Sequence, residues 1–149
     1  MITTFPSDIT DWTAYTPTST WVINATHTGF YKRVKDTLFV RVQIYTTGAP
    51  TSTTLIVDTP ADFTVDASKL TTNATNGVRY NVLGICTVRD SSSGVSYTGL
   101  VRLNNSTTFY PEVQYITATF VRGTALSQTI PMTWASGDQI SMLYQIPIL

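Results

Sequence analysis

Apolar and polar residues alternate one by one along much of this chain. Near its end, Ile140, Met142, Tyr144, Ile146 and Ile148 alternate with Ser141, Leu143, Gln145 and Pro147. A period of two places the two sets on opposite faces of a sheet. The first set is wholly apolar, which predicts a strand packed on a core by one face. A short strand from Pro131 and a Ser136-Gly137-Asp138 turn are expected to lead into it. The chain ends one residue past this strand, so a fold that closes on its own last strand is expected. From Thr37 to Thr47, Leu38, Val40, Val42 and Ile44 alternate with Phe39, Arg41, Gln43 and Tyr45. Large side chains in both sets predict a central strand covered on each side.

The same reading predicts extended pieces at Asp11–Thr16 and Trp21–Thr28, separated by Pro17, with Gly29 restarting the chain into 30–34. Lys35-Asp36 reads as a turn, Thr53–Thr59 as a strand and Thr64–Asp66 as a short extended segment. A helical turn at 67–70 has Asp66 as its cap. A hairpin pairs Val78–Arg89 with Val95–Leu103 across Asp90–Gly94. Thr107–Tyr110 and Glu112–Arg122 are further strands, and Gly123–Thr129 a loop. No internal repeat or linker interrupts the series. About nine or ten short strands at this spacing predict one all-β domain, an antiparallel sandwich of jelly-roll type over residues 12–149, preceded by an arm over residues 1–11.

Composition agrees with the periodicity. Roughly one residue in five is threonine, Glu112 is the single glutamate, and only 12% of residues are charged. Such a chain is rich in residues that suit a pleated surface and poor in good helix formers. With 149 residues it can bury a sizeable core. Its net charge of zero offers nothing to nucleic acid or to an anionic membrane. The basic run Lys32-Arg33-Val34-Lys35 reads as a solvated hairpin edge. Low charge combined with 42% hydrophobic residues predicts surface buried against other subunits.

Candidate chemistry is sparse. Cys86 is the only cysteine and is expected to be a buried, inert thiol on the strand face of Tyr80, Val82, Gly84 and Val88. His27 is the only histidine, and without a second histidine or cysteine near it no metal cluster or acid–base pair forms in sequence. Asp58, Asp62 and Asp66 recur every four residues, but Pro60 forbids a helix that would align them; a loop calcium site would be their one metal use. Ser136-Gly137-Asp138 lacks the strand-to-helix setting of a nucleophile elbow, and no phosphate-binding glycine loop is present. The reading is therefore of a non-enzyme without metal or cofactor. The start, MITTFPSDITDW, has neither the basic nor the apolar segment of a signal peptide. Sequons at Asn24, Asn73 and Asn105 are expected by chance in so threonine-rich a chain.

Several segments taken together resemble a β-jelly-roll module of bacteriophage virion proteins, found in capsid decoration proteins, head fibres and tail-fibre tips. They are Trp12–Thr18, Tyr31–Leu38, Thr46–Thr51, Val65–Leu70, Arg89-Asp90-Ser91, and Trp134–Asp138 with the Ile146-Pro147-Ile148 ending. The resemblance implies a homotrimer similar to tumour-necrosis-factor-like domains, made in the bacterial host cytoplasm and located on the virion. Because only about ten residues precede the module, a stand-alone capsid decoration (cement) protein is expected in preference to a fibre tip. Its partners would be itself and the major capsid protein or another virion protein, with neither nucleic acid nor membrane. The docking arm would use Ile2, Phe5 and Ile9 as apolar anchors. The alternative is a receptor-binding tip recognising a host-surface glycan, with Tyr97, Phe109 and Tyr110 stacking on sugar rings. Trp134 is expected in the core or a subunit contact, and Trp12 where the arm meets the domain.

Overall fold

A computed structural model of the chain describes residues 9–51, 53–60, 62–71, 81–116, 119 and 121–149. The strands are β1 (Thr13–Tyr15), β2 (Ala25–Val34), β3 (Thr37–Thr46), β4 (Val57–Asp58), β5 (Val82–Arg89), β6 (Ser96–Asn105), β7 (Thr108–Ile116), β8 (Val121–Ala125) and β9 (Gln139–Pro147). They form one sheet in the order β1-β2-β3-β9-β5-β6-β7-β4, with β8 also on β7. Each pairing is antiparallel. Among the described residues the only helical element is a 3₁₀ turn, Ala67–Lys69. The fold is all-β, as the alternation predicts.

The sheet folds over itself. Phe109 on β7 and Tyr144 on β9 stand three strand positions apart, yet their ring centroids lie 4.2 Å from each other. In a flat sheet three spacings would separate them by about 14 Å. The space between the layers is the core. Leu38, Val40, Val42 and Ile44 of β3 and Ile140, Met142, Tyr144 and Ile146 of β9 enter it from one layer. Val101 and Leu103 of β6 and Phe109 and Val113 of β7 enter from the other. Each such side chain contributes about 1.5–3 kcal/mol on burial. Loops fill out the core: Trp21 and Trp134 are buried edge to face at 5.0 Å. Their indole N–H groups donate to Thr53 O (2.9 Å) and Ser127 O (2.8 Å).

The hairpin turn at Lys35-Asp36 is present, with Lys35 in the left-handed region at φ 55°. Asp66 caps the 3₁₀ turn, accepting from Ser68 N at 3.1 Å. Val65 bridges Ile148 and so ties this segment to the end of β9.

Other expectations are corrected. Gly29 does not restart the chain: β2 runs through it, and the missing side chain leaves room for the Tyr15 ring, which passes 2.5 Å from where a β-carbon would stand. Residues 53–56 are irregular and only Val57–Asp58 pairs, with β7. Pro111 does not split β7, whereas the stretch predicted as 112–122 divides into β7 and β8, which pair with each other. The strand expected before the last turn does not form. There Ala135 N donates to the Asp138 carboxylate at 2.7 Å instead of to a neighbouring strand. A register shift between Val82 and Gly84 inverts the β5 pattern, so Leu83 is buried and Val82 exposed, while Cys86 and Val88 stay inside.

Candidate functional site

The outer layer face of β2, β3, β9 and β5 is the largest feature that the core does not explain. Register sets its side chains in rows across the sheet. One row is Phe30–Arg41–Leu143–Ile85–Leu100, the next Thr28–Gln43–Ser141–Thr87–Thr98, and a third Thr26–Tyr45–Gln139–Arg89–Ser96. Lys32 and Phe39 continue the face at the other end, beside Gln145. The sequence expectation that β3 is covered on both sides is thus overturned within the single chain. Its inner set is fully buried, but Tyr45 is 43% exposed, and neighbouring Phe30, Ile85 and Leu143 are 49%, 57% and 46% exposed. Four strand spacings by six residues of strand give an area on the order of 400 Å². The apolar part of that area is the Phe30–Leu143–Ile85 row, with Phe39 and Tyr45 to either side of it.

The polar residues on the face are arranged rather than scattered. Ser141 Oγ donates to Gln43 Oε1 at 2.6 Å, which satisfies the middle row internally. At one corner two cations lie over the Trp12 ring: the Arg41 guanidinium is 4.7 Å and the Lys32 ammonium 5.2 Å from its centroid. Lys32 also lies 5.7 Å from the Phe39 ring. A cation over an aromatic face gains roughly 0.5–1 kcal/mol when exposed and more when desolvated. Among the described residues, Lys32 and Arg41 form no ion pair. Trp12, Lys32, Phe39, Arg41, Ile85 and Leu143 line a shallow groove of ≈ 550 Å³ here. Arg89 adds one further charge in the third row, and the apolar side chains lie mainly in the Phe30–Leu143–Ile85 row, so the face suits a mixed contact with an anionic group at the Trp12 corner.

On the other side of the β1–β2 edge is a second, polar groove of ≈ 530 Å³, with Tyr15, Thr18, Tyr31, Asp58, Thr59 and Asp62 in its wall. The Asp58 carboxylate accepts from the Thr18 hydroxyl. Asp62 is held at φ 72°. Asp66 is taken up by the 3₁₀ cap, so the three aspartates do not converge, and no group of three metal-ligating side chains occurs among the described residues.

The residues singled out in sequence fall apart in space. Ile2 and Phe5 lie outside the described residues. Ile9 is 54% exposed and bridges Val34 at the hairpin edge. Phe109 is fully buried against Tyr144, so it has no face to offer a sugar. Tyr97 packs half-buried against the core, and Tyr110 is half-buried on β7. The three glycan candidates therefore make no common platform. His27 is half-buried with Nε2 2.7 Å from Ser19 Oγ, and burial pulls its pKa below the ordinary value. Cys86 is buried, and desolvation, followed by the nearby Glu112 carboxylate, pushes its thiol up to about 12. Trp12, expected only as a junction, is instead the stacking partner of two cations. The signal was available: Lys32, Phe39 and Arg41 share one parity with the arm-proximal tryptophan once the hairpin register is known.

No protein-family model, curated protein or solved structure matches this chain.

Proposed function

We propose that this protein is a non-enzymatic structural subunit of a phage virion, a homotrimeric capsid decoration protein of jelly-roll type that assembles through the outer face of β2, β3, β9 and β5. The observation that carries the reading is that face itself. Four strands of a complete sandwich present Phe30, Phe39, Tyr45, Ile85 and Leu143 outward after the core is already full. A folded chain with 12% charged residues has few means of keeping such a face soluble, and covering it with further copies is the direct physical remedy. The resemblance of the chain to virion jelly rolls supplies the threefold stoichiometry and the location. The arm over residues 1–11 would then be left for the capsid.

Light scattering on the purified chain is the first test: a mass near three subunits is expected, and Leu143→Arg should reduce it to one. A monomeric wild type at all concentrations would overturn the assembly. An antibody raised against the chain is expected to label the heads of virions from the phage that carries the gene. Label confined to fibre tips would favour the receptor-binding alternative, and absence from the particles would overturn the virion reading.

A further inference from the structure

We infer that the subunit contact is heterologous and electrostatically keyed: the Trp12–Lys32–Arg41 corner of one copy receives the Asp58 and Asp62 carboxylates of the next. This rests on the assembly proposed above and specifies its register. Closed threefold symmetry requires each subunit to use two different surfaces, one meeting the other around the ring. The chain carries two such surfaces with matching chemistry. The first is the outer groove, where two cations without ion-pair partners among the described residues lie over one indole in mostly apolar surroundings. Covering that groove strips water from both cations, which is costly unless carboxylates arrive with the partner. The second is the polar groove, where Asp58 and Asp62 are exposed and form no ion pair among the described residues.

Both surfaces border the β1–β2 edge of the sheet. Strand pairing sets Thr13 opposite Tyr31 and Tyr15 opposite Gly29. By the period of two, Tyr15 and Tyr31 face the acidic groove, while Trp12, Phe30 and Lys32 face the cationic one. The two charged surfaces thus lie on opposite sides of the β1–β2 ribbon. A neighbour that wraps this edge presents its own carboxylates to the cations, and complementary potentials of this kind fix register and exclude wrong pairings. Within one chain the same charges cannot meet, because the β1–β2 ribbon stands between them.

Charge reversal tests the pairing. Arg41→Glu and Asp58→Lys each alter an exposed side chain, so both variants should keep the wild-type circular dichroism spectrum. Each is expected to weaken assembly roughly 30-fold or more, read by light scattering over a dilution series. The two changes in one chain, R41E/D58K, should restore the wild-type mass. Mixing the two single variants should not, because a ring of three cannot alternate two kinds of subunit without one repulsive contact. Trimeric single variants would overturn the pairing and leave the assembly standing. Dissociated single variants that the double change fails to rescue would overturn it as well. A monomeric wild type would instead remove the assembly on which the inference rests.

Discussion

Replacing Asp138 by alanine should be among the most damaging single changes in this chain. The side chain is 1% exposed. Its carboxylate accepts from Ala135 N (2.7 Å), Ser91 N (2.9 Å) and Ser91 Oγ (3.1 Å). It therefore holds the last turn to the β5–β6 loop, and its backbone carbonyl also receives Thr46 N at 3.0 Å. Alanine removes the shared acceptor of two backbone donors, Ser91 N and Ala135 N, in part-buried hydrogen bonds that tie two loops together, while the serine hydroxyl can rotate away. Hydrogen bonds to a charged group are worth about 1.5–3 kcal/mol each, and relief of the buried charge returns part of that. A net loss of about 3–5 kcal/mol follows, a large share of the roughly 5–15 kcal/mol that holds a domain. Urea unfolding at fixed protein concentration is the assay: with a slope near 2 kcal/mol/M, the midpoint should fall by about 1.5–2.5 M. Asp138→Asn separates charge from shape, since the amide must turn one N–H toward a backbone N–H; it should lose nearly as much. A midpoint within about 0.3 M of wild type for both variants would refute the reasoning, because the turn would then not depend on this carboxylate.

Two further outcomes follow from close packing and burial. Gly99→Ala places a β-carbon 1.9 Å from the Glu112 carbonyl oxygen on the neighbouring strand, which cannot move aside as a side-chain tip would; about 1–3 kcal/mol or more should be lost in the same unfolding assay, and a neutral result would mean β6 and β7 can separate locally. Cys86 should resist a thiol-specific reagent at pH 8 in the native protein and react at once in urea; because its folded pKa is raised to about 12, its contribution to stability is complete below roughly pH 8.5 and is lost as pH climbs from there towards 12, so an unfolding midpoint that rises between pH 9 and 11 would contradict the assignment.

The parts of this fold that were legible in sequence are those decided by local alternation. Inner residues of β9 and β3 were readable because a half-buried strand has only two faces and one of them was wholly apolar. The Lys35-Asp36 turn and the Asp66 cap were readable because each depends on a few adjacent residues. What was not legible depends on contacts distant in the chain. Trp21 is buried from an irregular loop by Trp134, 113 positions later. Gly29 is required by a ring on the adjacent strand. Asp138 reads as a turn residue and becomes a buried acceptor only when the Ser91 loop arrives. The candidate surface follows the same rule: its rows are set by registers among four strands, and no single strand announces them. Phe109 failed as a glycan contact because an aromatic beside a turn looks the same in sequence whether it points in or out.

The place of β9 in the sheet bears on how the protein is made. It is the last of the described strands and lies in the middle of the sheet, between β3 and β5, pairing with both along nearly its whole length. Until it emerges from the ribosome, β3 and β5 each have an unpaired edge and an uncovered apolar face, and no local hairpin can substitute for it. Closing a loop of about a hundred residues costs entropy before any contact repays it, and such long-range pairing is slow. Folding of the two halves into one sheet therefore waits until β9 is available. A nascent or truncated chain that stops before Gln139 has two open strand edges, the form in which β proteins pair with one another instead of with themselves.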